Sequence, residues 1–407
     1  MKFRTLSTIP LLLFATTLAH GAVITVGSGE SIQSVIDSAS SGDVLNLSAP
    51  IAYNGDLNIT KPLRIVGVRS INQNLFGDIN IEGIPAGQSV TLKNLSINGV
   101  VEIRNSSVNL LRCDLASSLS ANNPGGGNTL LTFVQSSIIG KLTSKMSRSW
   151  IGYSNLRQSS FEGIVEIVGN DFNGNDLGGI GIDLNGTQTI ANIHNNLIHQ
   201  FLLRTDSDIS DTCIGIRIGE NAKAEIRNNS IKNNFDGNHH GTETFVGMGI
   251  YVESTANTTI IANILNGNHV FNGKLAGGNF VEFGNANVYA PKSNVTMRNN
   301  ALGGSGEKVK GGVVHWETVS DTSEGTEFLT DTVGRMAGKG GQDTGSQEDY
   351  HKDHDGSRND IGANGGRNYI PDGRTTNKPI PIFFSLAPQA VPTGGTVTIE
   401  STGATVK

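Results

Sequence analysis

The sequence predicts an all-β chain wound as a parallel β-helix solenoid, with one short capping helix at its N-terminal end. Three observations predict it. A pattern of apolar, x, x, p, x, apolar recurs, with Asn at the middle position p in Ile167/Asn170/Phe172, Ile193/Asn196/Ile198, Ile226/Asn229/Ile231, Ile260/Asn263/Leu265 and Met297/Asn300/Leu302. Period-2 apolar segments precede the later copies. The composition, 52 Gly in 407 residues with 6% aromatic and 16% charged side chains, favours strands and turns over helices.

The recurring pattern extends backward when p is relaxed. It runs through Ile151/Ser154/Leu156, Phe133/Ser136/Ile138, Leu110/Cys113/Leu115, Leu92/Leu95/Ile97 and Leu63/Val66/Val68. Successive p positions lie 16 to 37 residues apart. That range is too irregular for leucine-rich repeats, and no helical period accompanies it. A β-helix tolerates it, because extra residues leave at the turns while the strands stay stacked. Asn at p then reads as an inward turn residue. Its amide can bond the p residues of neighbouring coils, and Asn also tolerates a left-handed backbone.

The second element comprises GIGIDL (179–184), CIGIRIG (213–219), GMGIYV (247–252) and NANVYA (285–290). Each alternates inward and outward residues as a strand does. One repeat therefore holds two or three short strands.

The two ends differ from the middle. Lys2 and Arg4, the apolar run Ile9 to Leu18 and the small-residue exit Ala19-His20-Gly21-Ala22 read as a secretory signal peptide over 1–22. No later stretch approaches the ~18 apolar residues of a membrane span. The net charge is −6, and −8 once Lys2 and Arg4 leave, which argues against nucleic acid as a partner. Next, SIQSVIDSASSGDVLNL places Ile32, Val35, Ile36 and Ala39 on one helical face, with Ser28 to cap the start and Gly42 to end it. This helix covers apolar interior and open strand edges.

The stretches SIQSVIDSASSGDVLNL, LNITKPLRIVGV and SVTLKNLSI, with the GIxI…IxNN coils, resemble the pectate-lyase-like right-handed parallel β-helix proteins over roughly residues 23 to 310. The resemblance implies a right-handed solenoid. It leaves the activity open, because such helices include lyases, glycoside hydrolases, epimerases, phage tailspikes and adhesins. HDGSRNDIGANGG (354–366) is similar to the segment that closes the helix in many secreted bacterial proteins of this kind. PIFFSLAPQAVPTGGTVTIESTGATVK resembles the opening strands of an immunoglobulin-like module or a surface-sorting tail. The expected division is a solenoid over 23–335, a Gly/Asp-rich closing segment over 336–375 and a β-rich tail over 376–407.

Within this frame Cys113 lies at an inward p position and Cys213 opens a strand five rungs later. At ~4.8 Å per coil they stand about 24 Å apart, beyond disulfide reach. Both are expected as free thiols.

Alternation points Asp183, Arg217, Tyr251 and Tyr289 outward from one sheet, as a candidate ligand-binding row. Gly181, Gly215 and Gly249 beside them are expected to leave room for a ligand against the backbone. Long polar loops join these coils and supply the candidate catalytic residues Asp206, Asp208, His239 and His240, together with Arg217. In an enzyme, Asp206, Asp208 or Asp211 would bind Ca²⁺ or act as acid or base. His239 or His240 would be the base, and Arg217 would hold a substrate carboxylate. The arginine and Asp-His signatures of pectate lyases are absent, as is the ordered motif set of polygalacturonases. No catalytic residue is carried over from the resemblance. Asp353, Asp355 and Asp360 around Gly356 form a candidate Ca²⁺ loop, although the register fails for an EF-hand.

Two functions stay open. One is a secreted or cell-surface protein that binds extracellular glycan, or another surface, through the solenoid flank. The other is a lyase or hydrolase acting on an acidic polysaccharide over the late coils. Missing catalytic sets and the scarcity of Trp and Tyr, which stack on sugars, favour the first.

Overall fold

The computed structural model describes residues 21–303, apart from 49–51, 69–73, 176–177, 202–212, 233, 235–246, 254, 256–257, 269–285 and 292–294. It also describes 309–310, 314–318, 328–330, 336–338, 360–363, 365–366, 380–387 and 398–404. Three long sheets of 13, 11 and 11 strands make a right-handed parallel β-helix. A complete coil gives one strand to each sheet. Ile164–Val168 joins the first sheet, Asp171–Asn173 the second and Gly179–Leu184 the third. The chain then returns as Ile190–His194, parallel to Ile164–Val168 and in register with it.

The apolar residue that opens each pattern forms a column through the first sheet. Leu92, Leu110, Phe133, Ile151, Ile167, Ile193, Ile226, Ile260 and Met297 pair in succession. All are inaccessible to solvent. Each such burial stabilises by about 1.5–3 kcal/mol. Leu63/Val66/Val68 is set two residues out of register, since Ile65 pairs with Leu92 and Val66 with Lys93. The correct opening residue is Ile65. A two-residue slip keeps every side chain on its face, so alternation alone does not reveal it.

The p positions form a continuous buried hydrogen-bond ladder. The backbone N–H of Asn170 donates to Asn196 Oδ1 (2.9 Å), that of Asn196 to Asn229 (3.0 Å), that of Asn229 to Asn263 (2.9 Å) and that of Asn263 to Asn300 (2.9 Å). The side-chain amides repeat the same links. Ser154 and Ser136 continue the ladder with hydroxyls, and the N–H of Cys113 donates to Ser136 Oγ at 3.0 Å. The left-handed backbone, however, is not at p. It falls one residue earlier, at Asn94, Arg112, Gln135, Tyr153, Asn195, Asn228, Ala262 and Asn299, with φ between 48° and 59° among these bends. The residue before p makes the bend and its side chain points out. Even Arg and Tyr then accept a conformation costing about 1–2 kcal/mol.

The capping helix is Ile32–Ser38, and its N-cap is Ser31, not Ser28: Ser31 Oγ accepts from the N–H of Ser34 at 3.3 Å. Residues 27–30 instead form a separate turn, in which Glu30 accepts from the N–H of Gly27 at 2.7 Å. The helix ends at Ala39, whose N–H donates to Val35 O at 2.9 Å. Gly42 (φ 91°) lies in the turn beyond. Ile32, Ile36 and Ala39 enter the main core, while Val35 is only partly buried.

A C-terminal segment lies across the late coils. Ile361 is buried with Ile261, Ala262, Ile264 and Ala301, outward residues of the first two sheets and the bend between them. Asn228 Nδ2 donates to Asp360 O (2.7 Å), and Asn195 Nδ2 donates to Ala363 O (3.1 Å) and Gly365 O. The N–H of Gly362 donates to Ala262 O at 2.8 Å, and that of Ala363 to Ser230 Oγ at 3.1 Å. Thus the bend residues Asn195 and Asn228 also hold this strap. Beyond the solenoid, Phe328–Thr330 pairs antiparallel with Met336–Gly338, and Ile380–Ala387 with Thr398–Ala404. Cys113 and Cys213 are both buried and neither forms a disulfide. Burial pushes the Cys113 thiol up to about 12. No helix among the described residues is long and apolar enough to cross a membrane.

Candidate functional site

The outward row of the third sheet is in the register alternation predicts. Asp183 pairs with Arg217, Arg217 with Tyr251 and Tyr251 with Tyr289. Ser160 extends the row below, and the backbone of Lys310 pairs with Tyr289 above. A carboxylate, a guanidinium and two phenols thus follow one another at the ~4.8 Å spacing of strands in a sheet.

Arg217 is the hub. Its Nη1 lies 3.3 Å from Asp183 Oδ1 and its Nη2 lies 3.1 Å from Glu253 Oε2. Glu253 was not anticipated. It follows the strand Gly247–Val252 and sits beside Gly219, since Ile218 pairs with Val252. Gly219 puts no side chain between Glu253 and Arg217. The signal was readable as Val252-Glu253 above Ile218-Gly219, but only once the register was known.

The protonation states follow from these neighbours. Burial alone would lower the Arg217 pKa, but the Glu253 hydrogen bond and the charge of Asp183 outweigh it and raise it. Burial and the Glu253 carboxylate push the Tyr251 phenol up to about 12. At neutral pH both are protonated donors. The Tyr251 and Tyr289 rings stack nearly parallel, centroids 5.5 Å apart and 9° between planes. Each ring gives one face to the other.

The glycine row does not leave room for a ligand. A Cβ on Gly215 would meet Gly249 O at 2.7 Å, Ile231 Cγ2 at 2.9 Å and Asn234 Nδ2 at 3.1 Å. One on Gly181 would meet the Phe201 ring, and one on Gly249 would meet Asn287 O and Asn268 Nδ2. That space is filled by a second buried ladder the sequence reading missed. In it Asn234 Nδ2 donates to Asn268 Oδ1 (2.9 Å) and Asn268 Nδ2 to Asn287 Oδ1 (3.0 Å). The N–H of Phe201 donates to Asn234 Oδ1 at 3.2 Å and ends it. The glycines are small to admit protein.

The remaining candidates separate from this row. Asp206, Asp208, Asp211, His239 and His240 lie outside the described residues, as do Asp353 and Asp355. Asp360 is described, and its backbone carbonyl takes the Asn228 amide. Among the described residues no three His, Cys, Asp or Glu side chains group as metal ligands do. Two His–carboxylate contacts lie on the other sheets. Glu166 contacts the buried His194, and His199 Nε2 is 2.8 Å from Asp171 Oδ1. Burial raises the Glu166 pKa, but the hydrogen bond and charge of His194 bring it net below the usual carboxylate value.

The architecture is that of a parallel β-helix. The crystal structure of pectate lyase Pel9A superposes with a TM-score of 0.47 at 14% identity, covering 85% of this chain and 97% of that one. That likeness is one of fold. No family model matches the sequence, and no curated protein matches it either.

Proposed function

We propose that this β-helix is a secreted or cell-surface protein that binds extracellular glycan through the outer row of its third sheet, Asp183, Arg217, Tyr251 and Tyr289. The single observation that carries the reading is the uninterrupted outward alignment of these four residues on consecutive coils. Such a row offers a carboxylate, a guanidinium and two phenols, spaced along one line, to a chain of hydroxyl-rich residues. Residues 1–22 serve as the secretion signal in this reading. Ca²⁺ at Asp353, Asp355 and Asp360 is a secondary element of it.

Binding is favoured over catalysis because the arginine and Asp-His signatures of pectate lyases and the ordered motif set of polygalacturonases are absent from the sequence. The test incubates the full chain with acidic and neutral polysaccharides, with and without Ca²⁺. Retention on a glycan is measured beside unsaturated-product absorbance and new reducing ends. Retention without product, lost in Arg217→Ala and Tyr251→Ala, supports binding. Product formation that depends on Asp206, Asp208, His239 or His240 would make the protein an enzyme acting over the late coils.

A further inference from the structure

We infer that the third-sheet row selects neutral, hydroxyl-rich polysaccharide and rejects polyuronate; this rests on the glycan-binding reading of the same row. The inference starts from the coordination of Arg217. An arginine offered to a uronate carboxylate needs its two-pronged edge open, because the strong contact is bidentate. Here Nη1 is taken by Asp183 from the coil below and Nη2 by Glu253 from the coil above. Within this group of three described residues Arg217 is matched by two carboxylates, so the group carries a net negative charge. In the adjoining outward row Lys145 Nζ lies 2.7 Å from Glu162 Oε1, and that pair adds no net charge. A third carboxylate from the ligand would meet repulsion and would have to break an existing pair.

The same geometry suits a sugar hydroxyl. Asp183 and Glu253 each keep accepting capacity beyond the bond to Arg217, because a carboxylate has about four lone-pair sites. Neither carboxylate is fully buried; their side chains are 14% and 29% exposed. A pair of neighbouring sugar hydroxyls can donate to one carboxylate while a third accepts from a remaining N–H of Arg217; the Tyr251 hydroxyl already donates to Glu253. The stacked rings present edges and hydroxyls, since each covers a face of the other. Selectivity therefore rests on hydrogen bonding and charge. Glu253 is the residue that decides it, because it occupies the second prong of Arg217.

The experiment is affinity electrophoresis of the full chain at physiological salt. The gels contain neutral β-glucan, xylan or galactomannan, and polygalacturonate or alginate in parallel. The expected result is retardation by at least one neutral polymer, with at least tenfold weaker affinity for either polyuronate. The Asp183→Asn plus Glu253→Gln variant keeps the shape of the row, frees Arg217 and makes the cluster net positive. It should lose neutral affinity about tenfold or more and gain polyuronate binding that Arg217→Ala abolishes. Circular dichroism and thermal melting establish that each variant is folded. Wild-type retardation by polyuronate, lost in Arg217→Ala, would overturn the selectivity while leaving the row as a glycan site. Wild-type binding to neither class would overturn both.

Discussion

Asn229 sits mid-ladder and its replacement separates hydrogen bonding from packing. It is wholly buried and makes five side-chain bonds. Oδ1 accepts from the backbone N–H and the Nδ2 of Asn196 at 3.0 and 2.9 Å. Its Nδ2 donates to Ile193 O (2.9 Å), Arg227 O (3.0 Å) and Asn263 Oδ1 (2.9 Å). Asn229→Ala strands the Asn196 N–H away from water, costing about 1–3 kcal/mol, and removes a donor from two carbonyls at about 1 kcal/mol each. The expected loss is about 3–5 kcal/mol in those terms. Asn229→Ser should cost far less, because serine already serves at p lower in the stack. Ser154 Oγ accepts from the N–H of Ser136 at 3.1 Å and donates to Gly152 O at 2.8 Å. By that precedent the serine variant keeps the Asn196 and Arg227 bonds and loses the reach to Ile193, about 1–2 kcal/mol. Urea denaturation followed by circular dichroism measures both, and exchange of the Asn196 amide reports the site locally. Equal losses for the two variants, or an alanine loss below about 1 kcal/mol, would refute the ladder as an energetic element.

Four further outcomes are expected. Gly215→Ala drives a methyl into Gly249 O, Ile231 and Asn234 and should cost about 1–3 kcal/mol in thermal melting; an unchanged melting temperature would mean the second ladder yields. Asn195→Gly with Asn228→Gly keeps the left-handed bends yet removes the amides that hold residues 360–365, so limited proteolysis near the strap should accelerate, and an unchanged cleavage pattern would show that Ile361 suffices. Tyr251 binds its proton more tightly folded than unfolded, so its contribution is present below about pH 10 and is lost as pH rises through about 12; Glu253→Gln should bring the tyrosinate absorbance of Tyr251 to lower pH, and no movement would remove Glu253 as the cause. Glu166 has a folded pKa below 4.5, so its contribution is present above the unfolded value and is lost as pH falls through the folded one; Glu166→Gln should flatten the acid limb of the stability curve, and an identical limb in both proteins would discount the His194 contact.

Much of the architecture was legible because it depends on period and residue type. Asn170, Asn196, Asn229, Asn263 and Asn300 share one spacing, and that spacing is the p ladder. The outward row was legible for the same reason: Asp183, Arg217, Tyr251 and Tyr289 stand at one place in four similar strands. What stayed hidden depends on where chains meet across many residues. Asn234 and Asn268, by contrast, each stand five residues after a p asparagine, Asn229 and Asn263, as Phe201 does after Asn196, so their mark was in the sequence but was passed over beside the stronger p pattern. The contact of Ile361 with Ile261 and Ile264 joins residues about a hundred positions apart through no shared pattern. The role of the glycines was misjudged because a missing side chain looks the same whether ligand or protein fills the space.

Those glycines also explain how one scaffold holds both structure and site. The third sheet carries two adjacent positions per coil with opposite demands. At Gly181, Gly215 and Gly249 the side chain is deleted, so that Phe201, Asn234 and Asn268 can close against the backbone. Two residues later, at Asp183, Arg217 and Tyr251, the side chain projects outward. Substitution in the outward row should therefore alter recognition without disturbing the stack, whereas substitution in the glycine row should do the reverse. Gly219 is where the two roles meet. Its Cβ would strike Leu184 O at 2.8 Å and Asn185 Oδ1 at 2.9 Å, so packing demands glycine there. The same absence lets Glu253 reach Arg217. A side chain at 219 would separate the two, and Arg217 would turn from a paired group of the scaffold into an open anion receptor.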